Sequence, residues 1–106
     1  MVEYKSDLDA AFSSLSDKTR RDILQQLTKG ALTISQIAQQ YDMSFAAVAK
    51  HLLILEKSGL ITKQRRGREQ IVRLNAKNLI PVTSYLQSYS AFWESQFDSL
   101  EKFIVK

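Results

Sequence analysis

Apolar residues recur at helical spacing along most of the chain, and the stretches between them hold residues that start and stop helices. Leu8, Ala11, Phe12 and Leu15 repeat at intervals of three and four, which predicts a first helix over 7–15. Ser16 reads as the N-cap of a second helix, with Asp17 early in it to suit the positive helix end. That helix turns Ile23, Leu24 and Leu27 inward and stops at Gly30. A third begins near Thr33 or Ser35 and presents Ile34, Ile37 and Ala38 to the core. The tetrapeptide YDMS at 41–44 is a turn, with Met43 directed into the core and Ser44 capping a fourth helix. In that helix Val48, Leu52 and Leu55 fall at i, i+4 and i+7, a single buried stripe ended by Gly59.

The period then changes. LITKQ and QIVRL read as short strands rich in branched residues, separated by RRGRE with Gly67 near the tip. A last helix is predicted over 78–105, with Asn78 as its cap and Pro81 tolerable only in its first turn. The pattern therefore describes one domain over 1–106, mainly α with a small β-hairpin, in the order α-α-α-α-β-β-α. Within it lie a helix-turn-helix over 33–58, a β-wing over 60–74 and a C-terminal helix over 78–105. This is the layout of a winged helix-turn-helix, which inserts one helix into the DNA major groove and lays the hairpin on the backbone.

Charge sharpens that reading by its location. The net charge is +4, and the stretch from Lys63 to Arg73 has five basic residues (Lys63, Arg65, Arg66, Arg68, Arg73) against one acid, Glu69. Arginines concentrated in a short glycine-containing hairpin favour a phosphate-binding surface over a merely solvated charge run. At 44% apolar and 25% charged residues the composition is that of an ordinary soluble domain. The opening MVEYKSDLDAAF is acidic and polar where a signal peptide is basic and then apolar, and no apolar run nears the roughly 20 residues of a bilayer span. These features point to a cytoplasmic protein. Cysteine is absent, there is one histidine, and the three glycines are separated. Disulfides, thiolate metal sites, a cysteine nucleophile and a phosphate-cradling loop are therefore excluded, and neither enzymatic activity nor a cofactor is expected.

The last helix holds six of the ten aromatic residues: Tyr85, Tyr89, Phe92, Trp93, Phe97 and Phe103. With Val82, Leu86, Leu100 and Ile104 they make a broad apolar face in a domain that already has a core beneath its helix-turn-helix. The expectation is a homodimer joined through the first and last helices, with Leu8, Phe12, Tyr85, Tyr89, Phe92, Trp93, Phe97 and Leu100 at the interface. Two readings of this face stay open, one fully packed and one enclosing a small hydrophobic ligand. A twofold dimer would place two recognition helices in adjacent major grooves, roughly 34 Å apart.

Three segments carry a family resemblance: Ser-Asp-x-Thr-Arg-Arg at Ser16–Arg21, Val48-x-Lys50-His51-Leu52, and Leu55-x-x-x-Gly59-Leu60. With the basic hairpin and the long last helix, the chain from about Leu8 to Phe103 resembles the arsenic-repressor-like (ArsR-type) winged-helix transcriptional regulators. That resemblance implies a homodimeric repressor that binds a palindromic operator in double-stranded DNA and releases it when an effector arrives. The best-known members sense metals through a Cys-x-Cys pair on the third helix or through carboxylate and imidazole ligands on the last. Here Thr33 and Ser35 occupy the cysteine positions, the last helix has no histidine, and Glu94, Asp98 and Glu101 are spaced for a solvated face. The chain thus resembles a metal-less branch of the family, and no metal sensing is expected.

If Val48, Leu52 and Leu55 face inward, then Phe45, Ala46, Ala49, Lys50 and Leu53 lie on or beside the outer face of the fourth helix. The recognition-helix candidates are Ser44, Phe45, Ala46, Ala47, Ala49 and Lys50; the wing candidates are Lys63, Gln64, Arg65, Arg66 and Arg68. Ser44 sits where a hydroxyl and free backbone amides favour a phosphate. Lys50 is the one long donor, for a guanine edge or a phosphate. The alanines can touch thymine methyls but cannot hydrogen-bond bases, so direct readout is expected to be sparse and affinity to lean on phosphates and the wing. Arg66 or Arg68 at the wing tip is placed to enter a narrow minor groove. Phe45 either packs against the turn or touches a base methyl. His51 is expected to make a structural hydrogen bond, and Arg20 and Arg21 either contact the DNA backbone or pair with Asp17 or Asp22. The rival function is a protein-interaction or RNA-binding module on the same fold.

Overall fold

The computed structural model describes residues 2–90, 92 and 94–96. Its elements are α1 (Val2–Ser14), α2 (Lys18–Leu27), β1 (Leu32–Thr33), α3 (Ile34–Ala38), α4 (Phe45–Lys57), β2 (Ile61–Arg66), β3 (Glu69–Leu74), a single 3-10 turn (Ala76–Leu79) and α5 (Ile80–Gln87). The helical stripes read from the sequence converge on one core. Ile23, Ile37, Val48, Leu52 and Leu55 are fully enclosed there together with Leu60 and Val72 from the sheet. Ala11 of α1 and Val82 of α5 close it from the far side, with Met43 partly buried against it.

Three features of this part differ from the sequence expectation, each for a local reason. α1 starts at Val2 rather than residue 7, because helix-compatible residues without glycine or proline extend beyond the buried stripe. Ser16 does not cap α2; its backbone N–H still bonds to Ser13 and its hydroxyl donates to the Ser13 carbonyl at 2.6 Å, finishing α1. The cap is Asp17, in extended conformation, whose carboxylate accepts the Arg20 backbone N–H at 3.0 Å. The sheet has three antiparallel strands in the order β1-β3-β2 rather than a bare hairpin, since Leu32 and Thr33 pair with Val72 and Ile71. A strand of two residues leaves no periodic trace in a sequence.

The C-terminal region differs most. Asn78 is not a helix cap. It lies in the 3-10 turn, and its side-chain amide donates to the Gly59 carbonyl at 2.8 Å. Pro81 does sit in the first turn of α5, but α5 ends at Gln87 in a turn at Ser88–Tyr89. There the Ser88 hydroxyl bonds the Tyr85 carbonyl (2.5 Å) and the Ser90 hydroxyl that of Gln87 (3.0 Å), local bonds that compete with the helical ladder. Helix resumes at residues 90, 92 and 94–96, and the expected helix over 97–105 lies outside the described residues.

The end of α4 is fixed by a Schellman arrangement. Gly59 N–H bonds to Glu56 O (2.9 Å) and Leu60 N–H to Leu55 O (3.0 Å), which requires Gly59 at φ +81°. A Cβ on Gly59 would also meet the Asn78 amide nitrogen at 2.8 Å. Gly59→Ala should therefore destabilise the domain by about 1–3 kcal/mol, read as a lower urea midpoint with unchanged slope.

Candidate nucleic-acid interface

The core dictates which side of α4 faces outward. With Val48, Leu52 and Leu55 fully buried, the opposite side carries Ala46, Lys50 and Leu53, and Ala49 lies half-buried at its margin. Ser44 caps the helix, its hydroxyl accepting the Ala47 N–H at 3.0 Å, while Ala47 itself is half-buried on the flank. The first backbone N–H groups of α4 point outward from this end, a favourable seat for an anion. Phe45 is 58% exposed, so it does not pack away against the turn.

The wing is built by β2 and β3, paired from Ile61↔Leu74 out to Arg66↔Glu69. Gly67 and Arg68 make the connecting turn, with Gly67 at φ +63° and no positive φ at Arg68, the II′ geometry that suits the strand twist. Strand alternation puts Thr62, Gln64 and Arg66 on one face of the ribbon with Glu69, Ile71 and Arg73, and Lys63 and Arg65 on the other with Val72. Gln64, Arg65, Arg66, Arg68 and Arg73 are exposed, and the Arg65 Nε donates to the Gly67 carbonyl at 3.3 Å.

Lys63 stands apart from the other wing candidates. It lies across from Val72, its side chain is only 18% exposed, and its Nζ is 3.2 Å from Glu56 of α4. A lysine so placed runs its alkyl stem along the core and delivers its charge to a neighbouring helix. The contact ties the wing to α4.

The arginines of α2 are also taken up within the chain. Arg20 donates through Nε to the Ser14 carbonyl (2.7 Å) and through Nη2 to that of Ser13 (3.5 Å), and its Nη1 is 3.3 Å from the His51 Nδ1. A guanidinium only donates, so the His51 Nδ1 accepts and the ring proton sits on Nε2. The same nitrogen is 3.8 Å from Asp17, too far for a hydrogen bond. His51 thus has the structural role expected of it, and Arg20 bonds to carbonyls and imidazole rather than to the side chain of Asp22. Arg21 donates to the Leu15 carbonyl at 2.7 Å.

The role of Tyr41, in the turn before α4, leaves no mark in the apolar pattern of the chain. Its hydroxyl donates to the Asp22 carboxylate and accepts from the Gln26 amide at 2.9 Å, binding the turn to α2. Burial, reinforced by the bond to Asp22, pushes the phenol well above its ordinary pKa. Thr33 is likewise engaged, forming a capping box with Gln36 at the start of α3, with bonds of 2.8 and 3.0 Å.

Away from this surface, α1 and α5 share an aromatic face. The Phe12 ring meets Tyr85 edge-on with centroids 5.5 Å apart, and Tyr85 meets Tyr89 at 5.3 Å. Leu8 and Phe12 are half-buried, whereas Tyr85, Tyr89 and Phe92 remain exposed. Trp93, Phe97 and Leu100, also expected at an interface, lie outside the described residues.

A helix, a bound turn and a second helix with an open outer face, flanked by an arginine-tipped hairpin, define a winged helix-turn-helix. Residues 17–63 match the family model described as "Bacterial regulatory protein, arsR family". The chain is 39% identical over 82 residues to the HTH-type transcriptional regulator YuzN of Bacillus subtilis, covering 68% of this chain and 89% of that protein. It is 34% identical over 68 residues to the transcriptional repressor SdpR of the same organism, covering 64% and 76% respectively. The crystal structure of an ArsR family transcriptional regulator superposes with a TM-score of 0.77 at 32% identity, covering 86% of this chain and 94% of that one. The chain belongs to the ArsR family of bacterial transcriptional regulators.

The Asp17 cap yields a pH test. Its carboxyl is held below the ordinary value of 3.8, chiefly by the Arg20 backbone N–H, with the Arg20 charge and the Thr19 backbone N–H adding to it. A depressed carboxylate pKa contributes stability above the unfolded value, which is lost as pH falls through the folded one. Asp17→Asn keeps a capping side chain but cannot titrate. Its urea midpoint should therefore fall less than that of the parent chain as the pH is lowered through 3.8.

Proposed function

We propose that this chain is a dimeric, sequence-specific DNA-binding repressor whose release does not depend on a metal. The observation that carries the reading is the placement of exposed cations on the open face of α4 and on the wing. Arg20, Arg21 and Lys63 are bound to groups of the chain itself. Among the described residues, Lys50 on the open face of α4 and Arg66 and Arg68 on the wing have no ion-pair partner. These free charges lie on the two elements a winged helix brings to DNA: α4 for the major groove and the wing for the flanking backbone. Ser44, Phe45, Ala46, Ala47, Ala49 and Lys50 form the major-groove contact, and Gln64, Arg65, Arg66 and Arg68 the wing contact.

The aromatic face of α1 and α5 supports a twofold dimer that would set two α4 helices on successive major grooves. The absence of a metal effector rests on donor chemistry: the chain has no cysteine, and the Thr33 hydroxyl is committed to capping α3. Repression follows the family relative SdpR, named as a transcriptional repressor.

Fluorescence anisotropy with the duplex upstream of the chain's own gene, against a scrambled duplex, tests the reading across a salt series. Saturable binding that prefers the native duplex and weakens steeply with salt is expected. Equal, weak binding to both sequences would reject it. Arg66→Ala and Arg68→Ala should each reduce the logarithmic salt slope by about 1, whereas Lys63→Ala should leave the slope unchanged and lower stability. For the dimer, Tyr85→Asp should shift the protein to monomer in sedimentation velocity and weaken operator binding, while circular dichroism stays that of the folded chain.

A further inference from the structure

The open side of α4 is unusually apolar. Ala46, Ala49 and Leu53 stand with Lys50 in a stripe spaced i, i+3, i+4 and i+7, and Phe45 sits at its N-terminal end. Phe45 is 58% exposed and Leu53 43%, while the apolar side chains on the other side of the helix are fully enclosed. One short helix therefore has two apolar faces, one in the core and one in the open, and an exposed apolar patch of this kind marks a contact surface. Its surroundings are positive: Lys50 lies within the stripe, the helix N-terminus lies beside Phe45, and the wing carries Arg66 and Arg68. The matching surface is anionic at its rims and apolar along its floor. A DNA major groove has this character where A·T pairs present thymine C5-methyl groups between two phosphate backbones. Reading guanine requires a donor and reading cytosine an acceptor. Along this stripe Lys50 is the one donor, and no side chain offers an acceptor.

We propose that α4 reads its operator through thymine methyl groups, met by Phe45 together with Ala46 and Ala49, with Lys50 as the single polar reader. This inference rests on the DNA-binding reading above and names what that surface recognises. The half-site facing α4 is accordingly set by A·T pairs, and Phe45 selects the strand on which the thymine lies, because only one strand of each pair carries the methyl.

The test uses the intact chain and duplexes selected by it from a random pool. Each thymine of the selected site is replaced singly by deoxyuridine, which removes the C5-methyl and leaves base pairing unchanged. Affinity should fall about four-fold at one or two thymines per half-site, the factor that burial of one methyl supplies. Phe45→Ala should bind the selected site more weakly and lose the thymine–deoxyuridine difference at one of those positions. Because Phe45 is largely exposed, this variant should keep the parent's circular dichroism and melting temperature. A tight, selective site in which every deoxyuridine substitution is silent would overturn the methyl readout while leaving the DNA reading intact. Undiminished discrimination by Phe45→Ala would remove Phe45 from the contact. A pool that yields no preferred sequence would defeat the DNA reading itself, and would instead mark this face for a protein partner.

Discussion

Val48, Leu52 and Leu55 project from one side of α4 into a core that leaves none of them accessible to water. A 13-residue helix is marginal in isolation. Burying each of these side chains contributes about 1.5–3 kcal/mol, so the core holds α4 and also sets its rotation. Turning it by one residue would pull this stripe from the core and push Ala49, Leu53 and Glu56 toward it. The face offered to a partner is therefore the complement of the packing face. The axial position is fixed as well, by the Ser44 cap at one end and the Gly59 arrangement at the other. Asn78 then couples that second end to the segment leading into α5.

Polar contacts complete what the core begins. Arg20 reaches the last carbonyls of α1 from α2 and touches His51 on α4, so one side chain relates three helices. A guanidinium suits this position because its planar fork serves several acceptors at once and stays charged. Tyr41 performs the corresponding task in the turn, which has no regular structure of its own and depends on the bonds to Asp22 and Gln26. Lys63 and Glu56 join the wing to α4. Arg20, Arg21 and Lys63 thus serve the architecture, while Arg66 and Arg68 at the end of the wing are exposed.

The features legible in the sequence are those whose physics repeats along the chain. Three successive apolar positions on α4 point the same way only if the segment is a helix, so its buried and open faces could be read together. The Ser44 cap and the Gly59 stop were legible for a similar reason, since each residue type is favoured there by local backbone chemistry. The Lys63 contact is not legible in the sequence because counting charges along a hairpin ignores strand alternation, and the register that puts it opposite Val72 depends on the turn at Gly67–Arg68. Its partner, Glu56, comes from another element altogether. β1 is too short to show a period, and the Tyr41–Asp22 and Asn78–Gly59 bonds span 19 residues each, beyond any local signal. The serine-rich interruption at Ser88–Tyr89 was written in the sequence, but the apolar spacing across it outweighed the hydroxyls.

The character of α4 also bears on why the aromatic face matters. On the proposed readout, each thymine methyl discriminates by about four-fold, and one Lys50 contact adds about 1–3 kcal/mol at most. Two methyls and one such contact distinguish a half-site from random sequence by roughly 10²–10³, at or below the lower end of what specific regulators reach. The wing arginines raise affinity without improving that ratio, because a phosphate carries no sequence information. Stronger discrimination then requires that two half-sites be read at once. A rigid twofold pair multiplies the two ratios to roughly 10⁴ or more, provided the spacing of the α4 helices is fixed. The Phe12–Tyr85–Tyr89 cluster supplies apolar surface of the kind that fixes such spacing, on helices that pack directly against the core holding α4. On the proposed dimer, a recognition helix poor in hydrogen-bonding groups and an aromatic face shared by two protomers are two parts of one solution.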